Sequence, residues 1–437
     1  MRGVHGGGRM LQSVLVAALA IFAFIGVLHV IRGTPVERVL APGEPDGPPG
    51  AADPRFARTV ELLTGVRFEP CNRVTLLENG DETYPALWRD LVAAERSVTV
   101  QMYYAKPGRV ADAMAERLTE RARAGIPVLL LLDAFGAAPL KRAWIEGLRV
   151  AGVRVAKLRP LRPGSLHKAN NRSHVRAIVV DGRVGYTGGF GLADYWLGDG
   201  RHPGQWRETN VRVEGSAALQ LQGAFVAAWA EATGSLLTGA TYFPEAEPAV
   251  QSPGEVRASI LYTTPAAGST SAERFLALSL AGARERLYVT NSYFTPDDDL
   301  RRLLLQAVAR GADVRVITAG PTSDVKTTLY AGRSRYRQLL EGGVRIYEYQ
   351  PVMMHAKTLV ADGCWCAVGA MNFDNRSLAH NEESTLVAHD GELGRALEAM
   401  FRRDLAYCEE VTLDAWRRRG PGTRVLEQAA RPLARLL

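Results

Sequence analysis

The strongest constraint on how this chain folds is a pattern it contains twice. His174, Arg176, Asp181 and Gly182 in one copy match His355, Lys357, Asp362 and Gly363 in the other at identical spacing. After the same gap come Gly188-Gly189-Phe190-Gly191 and Gly369-Ala370-Met371-Asn372. Alternate residues of a strand share a face, so each histidine and the cation two places on point the same way. The apolar residues that follow read as a strand entering a core, and Asp-Gly closes that strand in a turn.

The flanks repeat in the same order. Residues 97–103 predict a strand, residues 110–124 a helix stopped by Gly125, and residues 128–132 an apolar strand; a helix and Gly152-Val153-Arg154-Val155 follow. In the second copy a strand at 286–294, a helix at 299–310 stopped by Gly311, and a strand at 313–318 precede a helix and Gly343-Val344-Arg345-Ile346. Alternating strands and helices predict an α/β fold with mainly parallel strands covered on both faces. The copies lie too far apart for a solenoid repeat, so a whole domain is duplicated. The expected bounds are 57–245 and 256–415, joined through residues 243–258.

Composition excludes other classes. With 47% hydrophobic and 23% charged residues over 437 positions, the chain is too apolar for intrinsic disorder and long enough for several cores. Its four cysteines include no C-x-x-C pair, so neither a zinc site nor a disulfide framework is indicated. The formal charge of +7 is a mild bias that names no partner.

Both ends point to a membrane. Residues 10–31 carry no Asp, Glu, Lys or Arg. At 1.5 Å per residue such a helix spans roughly 33 Å, enough to cross a bilayer core. A single transmembrane anchor is therefore expected there, followed by a Pro- and Gly-rich linker over residues 32–56. Residues 416–437 form a basic tail, with Arg between apolar positions. It is expected either to lie on anionic lipid or to pack on the preceding domain.

A single histidine, Asp-Gly turn or strand-end cation is usually structural, but two in-register sets inside a repeated domain favour chemistry. The set suits phosphoryl transfer without metal. One histidine attacks phosphorus to form a phosphohistidine, and the other protonates the leaving oxygen and then deprotonates the acceptor. Arg176 and Lys357 would hold the non-bridging oxygens, with Asn372 as a further donor. Glu208 and Glu383 are candidates to bind the far nitrogen of each imidazole.

The two H-x-[KR]-x4-D elements resemble the paired HKD motifs of the phospholipase D superfamily. The flanks YTGGFGLADYWLG, WRETNVRVEG, NSYFTPDDDL and GGVRIYEYQPVMMHAK resemble its bacterial cardiolipin synthase branch. The likeness runs from about residue 72 to the C-terminus. It implies two α/β/α domains sharing one active site, and transfer of a phosphatidyl group between phosphatidylglycerol molecules in a bacterial cell membrane. It implies no metal cofactor, and no other cofactor is expected. The anchor and the flanks favour lipid over a nucleic-acid partner, and because duplication supplies both halves of the site, a monomer or homo-oligomer is expected. By matching position His174 is the nucleophile and His355 the general acid, an allocation that could be reversed. Asp181 and Asp362, the last residues of the motifs, join the catalytic set.

Three residues depart from the family pattern: Arg176 in place of Lys, Gly191 in place of Asn, and Ser292 in place of Pro. Arg176→Lys is therefore expected to retain or raise turnover. A phosphodiesterase or nuclease on the same scaffold is the alternative activity, and a non-catalytic lipid-binding relative a third reading.

Overall fold

A computed structural model describes residues 15–17, 19, 20, 23, 36–40, 47–160, 171–245, 254–266 and 268–432. Most of the expected anchor at 10–31, parts of the linker and of the join, and the last five residues of the tail lie outside them. Among the described residues no helix is long and apolar enough to cross a membrane.

The first half contributes β1 (Glu69–Glu78), β2 (Val98–Met102), β3 (Val128–Asp133), β4 (Arg154–Leu158), β5 (Ala177–Val180), β6 (Val184–Gly188), β7 (Trp206–Arg207) and β8 (Thr209–Glu214). The second contributes β9 (Val256–Thr263), β10 (Arg286–Asn291), β11 (Asp313–Ala319), β12 (Arg345–Tyr349), β13 (Met353–Met354), β14 (Lys357–Ala361), β15 (Trp365–Gly369), β16 (Glu383–His389) and β17 (Cys408–Glu410). The ladder of the large sheet runs β4-β3-β2-β5-β6-β8-β1 and continues β9-β16-β15-β14-β10-β11-β12-β17. Apart from β17, the second series is the first in mirror order. β7 and β13 pair separately.

The expectation of a mainly parallel sheet is corrected. Within the large sheet only β2-β3, β3-β4, β10-β11 and β11-β12 are parallel; every other neighbouring pair is antiparallel. The Asp-Gly turns are one reason. Asp181 and Gly182 have φ of 57° and 67°, and Asp362 and Gly363 have φ of 50° and 65°. Positive φ at both central residues makes a tight hairpin whose twist matches the flanking strands, so β5-β6 and β14-β15 must be antiparallel.

Helices cover the outer faces. Helix Arg109–Arg123 buries Val110, Ala111, Met114 and Leu118 along one stripe. The inner faces meet in one core cluster, where Val175, Val179 and Val211 join Ile317, Val368 and Leu386 together with residues of helices Ser216–Thr233 and Gly391–Leu405. Burying such side chains stabilises by about 1.5–3 kcal/mol each, so the contact between halves is a core rather than a loose join.

One boundary shifts, and the tail takes a definite posture. Helix Pro54–Thr64 begins inside the expected linker, and its Phe56, Ala57 and Val60 join the core of the second half, Phe56 meeting Trp365 edge-on at 4.8 Å. The tail is held from its start: Arg419 stacks on Trp416 at 3.3 Å and pairs with buried Glu427 at 2.7 Å, while Ala430 packs on Ala331. Of its two expected postures, the described part adopts the packed one.

Candidate active site

His174 and Arg176 lie just before β5, and His355 lies just before β14, which Lys357 opens. Each histidine is clamped to the other half by its backbone. The His174 N–H donates to the Glu382 carbonyl at 2.9 Å, and the His355 N–H donates to the Arg207 carbonyl at 2.7 Å. β13 pairs with β7 just upstream of His355, and a single bridge joins Ser173 to Glu382 just upstream of His174. In both cases the partner strand next delivers a carboxylate.

Those carboxylates reach across the two halves. Glu383 lies 2.9 Å from Nδ1 of His174, and Glu208 lies 2.5 Å from Nδ1 of His355. Glu208 also accepts from the Trp196 indole N–H at 3.2 Å and the Thr209 amide at 3.0 Å. With Nδ1 engaged, Nε2 is the nitrogen each ring has left for a substrate.

The cations sit behind the rings. Arg176 donates to the His174 carbonyl at 2.7 Å and the Phe190 carbonyl at 3.3 Å, and its guanidinium lies 5.5 Å over the Tyr103 ring. Lys357 Nζ donates to the His355 carbonyl and, at 2.6 Å, to the Ser292 hydroxyl. β2-β5 and β10-β14 pair in matching register, which sets Tyr103 and Ser292 at equivalent places. At that place the arginine has a ring and the lysine a hydroxyl, the lysine lying also 5.9 Å over the Tyr293 ring.

Asp181 and Asp362 are not brought to this site, which corrects their place in the catalytic set. Each stands at the far end of its strand. Asp181 accepts from the amides of Glu95, Arg96 and Ser97, and Asp362 from those of Arg284, Glu285 and Arg286. They tie the hairpin turn to the start of the neighbouring strand. About 3.3 Å per residue over the strand between cation and Asp puts them roughly 16 Å from the cations.

Asn372 does line the site, with its side-chain oxygen buried and unpaired. Its counterpart Gly191 has no room for a side chain: a Cβ there would stand 2.6 Å from the Trp196 ring.

The rings open on a cavity of about 520 Å³ lined by His174, His355, Arg176 and Asn372. The residue-by-residue reading missed its other walls. Trp206 and Trp196 lie 5.0 and 5.5 Å from the His355 ring, and Tyr103 lies 5.0 Å from the His174 ring. Tyr293, Phe135, Arg172, Arg376, Asp324 and Asp374 also line it. The tryptophans fall in the quoted family-like flanks, which was the one available signal.

Burial governs the electrostatics. Both imidazoles are held well below their ordinary pKa, first by burial and then by Arg176 and Lys357. Burial pushes Glu208 up to about 7 and Glu383 up to about 8, and brings Lys357 down to about 7. A neutral imidazole with its Nδ1 held by a carboxyl is poised to attack as a nucleophile. Among the described residues no group of three or more His, Cys, Asp or Glu is placed to hold a metal ion.

Comparison with known proteins gives concordant results. A family model described as "Cardiolipin synthase, PLD-like domain" matches residues 276–405. A cardiolipin synthase of Geobacillus kaustophilus is 31% identical over 367 residues, covering 84% of this chain and 72% of that protein. Cardiolipin synthase 2 of Bacillus anthracis is 30% identical over 381 residues, covering 87% and 74%. Phosphatidylserine synthase of Haemophilus influenzae superposes with a TM-score of 0.66 at 13% identity, over 88% of this chain and 100% of that one; that likeness is one of fold.

Proposed function

The chain belongs to the cardiolipin synthase family and has its mixed α/β phospholipase D-like fold, and on that premise we propose that it is a membrane-anchored phosphatidyltransferase joining two phosphatidylglycerol molecules into cardiolipin and glycerol. The observation that carries this reading is the crossed arrangement, in which two buried imidazoles, each on a carboxyl from the other half, open on one cavity that Arg176 also lines, with Lys357 held behind the His355 ring.

Nε2 of one histidine attacks the donor phosphorus. The P–N bond forms as the bond to the glycerol oxygen breaks, and the other imidazole gives that oxygen its Nε2 proton while taking its carboxyl's proton at Nδ1. That imidazole, still neutral, then returns the Nδ1 proton to the carboxyl and takes at Nε2 the proton from a hydroxyl of the acceptor lipid. That oxygen bonds to phosphorus, the P–N bond breaks, and both imidazoles return to their starting states. Arg176, Lys357 and Asn372 stabilise the charge on the non-bridging oxygens. The mirror strand order supports duplication of one phospholipase D-like domain, and the uncharged stretch at residues 10–31 supports a single-pass anchor.

The test uses the full chain in mixed micelles with labelled phosphatidylglycerol and EDTA. Formation of cardiolipin with release of glycerol is expected. Nucleotide release from single-stranded DNA under the same conditions would favour the phosphodiesterase alternative, and turnover of neither would overturn both.

A further inference from the structure

The scaffold around the two histidines is symmetric, but the walls of the cavity are not. Two residues before His355 stands Met353, whereas two before His174 stands Arg172. With Gly188 laid on Gly369, Arg376 falls on Tyr195 and Ser377 on Trp196. At the His355 end the lining is aromatic, Trp206 stacking on Tyr195 at 4.5 Å and meeting Trp196 at 5.0 Å. At the His174 end it is cationic.

Arg172 and Arg376 are drawn together by the backbone. The Arg172 carbonyl accepts from the Glu382 amide at 2.9 Å, and the Arg376 carbonyl accepts from the Asn381 amide at 2.9 Å, so both sit on the segment that leads to Glu383. Both line the cavity, and the Arg172 guanidinium lies 5.6 Å over the exposed ring of Phe135, which also lines it. Carboxylates stand near both arginines, Asp133 by Arg172 and Asp374 by Arg376, and they have further contacts of their own. Asp374 caps helix Asn375–Ala379 through the Ser377 amide at 2.7 Å, and Asp324 accepts from the Tyr293 hydroxyl at 2.9 Å.

The proposed reaction needs cations at such a place. Arg176 and Lys357 match the phosphoryl group being transferred. The acceptor lipid brings a second phosphodiester, separated from the attacking hydroxyl only by a glycerol bridge. In a buried cleft a second anion beside the first is costly without its own counter-charge. A neutral alcohol brings no such charge.

We propose that Arg172 and Arg376 form the subsite that binds the phosphodiester of the acceptor lipid. The proposal rests on the transferase reading above. It makes the pair a selector for an anionic phospholipid acceptor, distinct from the cations that serve the transferred group.

The test compares two reactions of the full chain in micelles: cardiolipin formation, and exchange of labelled free glycerol into phosphatidylglycerol, which uses the same donor but an uncharged acceptor. Arg172→Gln and Arg376→Gln are each expected to lower the ratio of cardiolipin formation to glycerol exchange by about tenfold or more, the loss that follows from removing a charge-assisted contact. Apparent KM for the acceptor lipid should rise, and Arg376→Lys should recover part of the ratio. Arg376 is itself half-buried on a short helix, so its variant guards against misfolding at the buried Arg172. An unchanged ratio, or both reactions falling in parallel, would overturn the subsite. Wild-type protein catalysing neither reaction would overturn the transferase reading itself, an outcome separate from the behaviour of the variants.

Discussion

Glu383 holds Nδ1 of His174 at 2.9 Å although 209 residues separate them, and each histidine of the site takes its carboxyl from the opposite half of the chain. Neither half therefore contains a complete catalytic pair. Both His174→Ala and His355→Ala should abolish cardiolipin formation. Glu383→Gln and Glu208→Gln should keep the fold but lower kcat by about 10²- to 10⁴-fold, as loss of an imidazole-orienting carboxylate does elsewhere. Steady-state assays in micelles check this, and a fully active His355→Ala variant would sink the assignment.

The departure at Arg176 is answered by Tyr103. The guanidinium lies over that ring, while Lys357 in the other half, itself 5.9 Å over the Tyr293 ring, has the Ser292 hydroxyl at the equivalent place. Arg176→Lys alone is thus expected to lose activity, contrary to what the motif by itself suggests, since a lysine there gains no hydroxyl partner. Tyr103→Ser combined with Arg176→Lys should recover part of the loss. A double-mutant cycle on kcat/KM measures the coupling, and additive losses would refute it.

Lys357 gives the enzyme an alkaline limit. Burial has brought its ammonium down to about 7, so the free enzyme loses that charge as pH rises through neutrality. The profile of kcat/KM should fall on the alkaline side with an apparent pKa near 7. In Lys357→Arg, which stays charged, the fall should move to higher pH. A limb unmoved by the substitution would assign it to another group.

Stability should also carry the mark of a buried carboxyl. Glu383 keeps its proton up to about 8 in the folded protein, against an ordinary 4.5 in the unfolded chain. The folded state then holds more protons than the unfolded one between those values. Its advantage is fully present below pH 4.5 and is lost as pH rises through about 8. Glu383→Gln, which cannot ionise, should flatten that decline in urea midpoints measured across the range.

Asp181 and Asp362 should behave as structural residues. Each accepts from three consecutive backbone amides that are exposed or half-buried, so Asp181→Ala or Asp362→Ala loses those bonds and should cost about 1–2 kcal/mol. The expected signature is a lower Tm with kcat per folded molecule little changed. A collapse of kcat at unchanged Tm would restore them to the chemistry.

By itself the sequence determined the repeated strands and helices, the two histidines with their cations, and the tight Asp-Gly turns. These are local properties, set by periodicity and by φ preferences that few residues tolerate. Side-chain period alone does not report strand direction, which is why a largely antiparallel sheet read as a parallel one. Only the tertiary structure decided which carboxyl serves which imidazole, that the motif aspartates lie away from the cleft, that Trp196 fills the place an asparagine at 191 would need, and that helix Pro54–Thr64 belongs to the second half. Those outcomes depend on packing between segments far apart in the chain. Glu208 meets His355 across 147 residues because β7 pairs with β13, and no local pattern encodes that pairing.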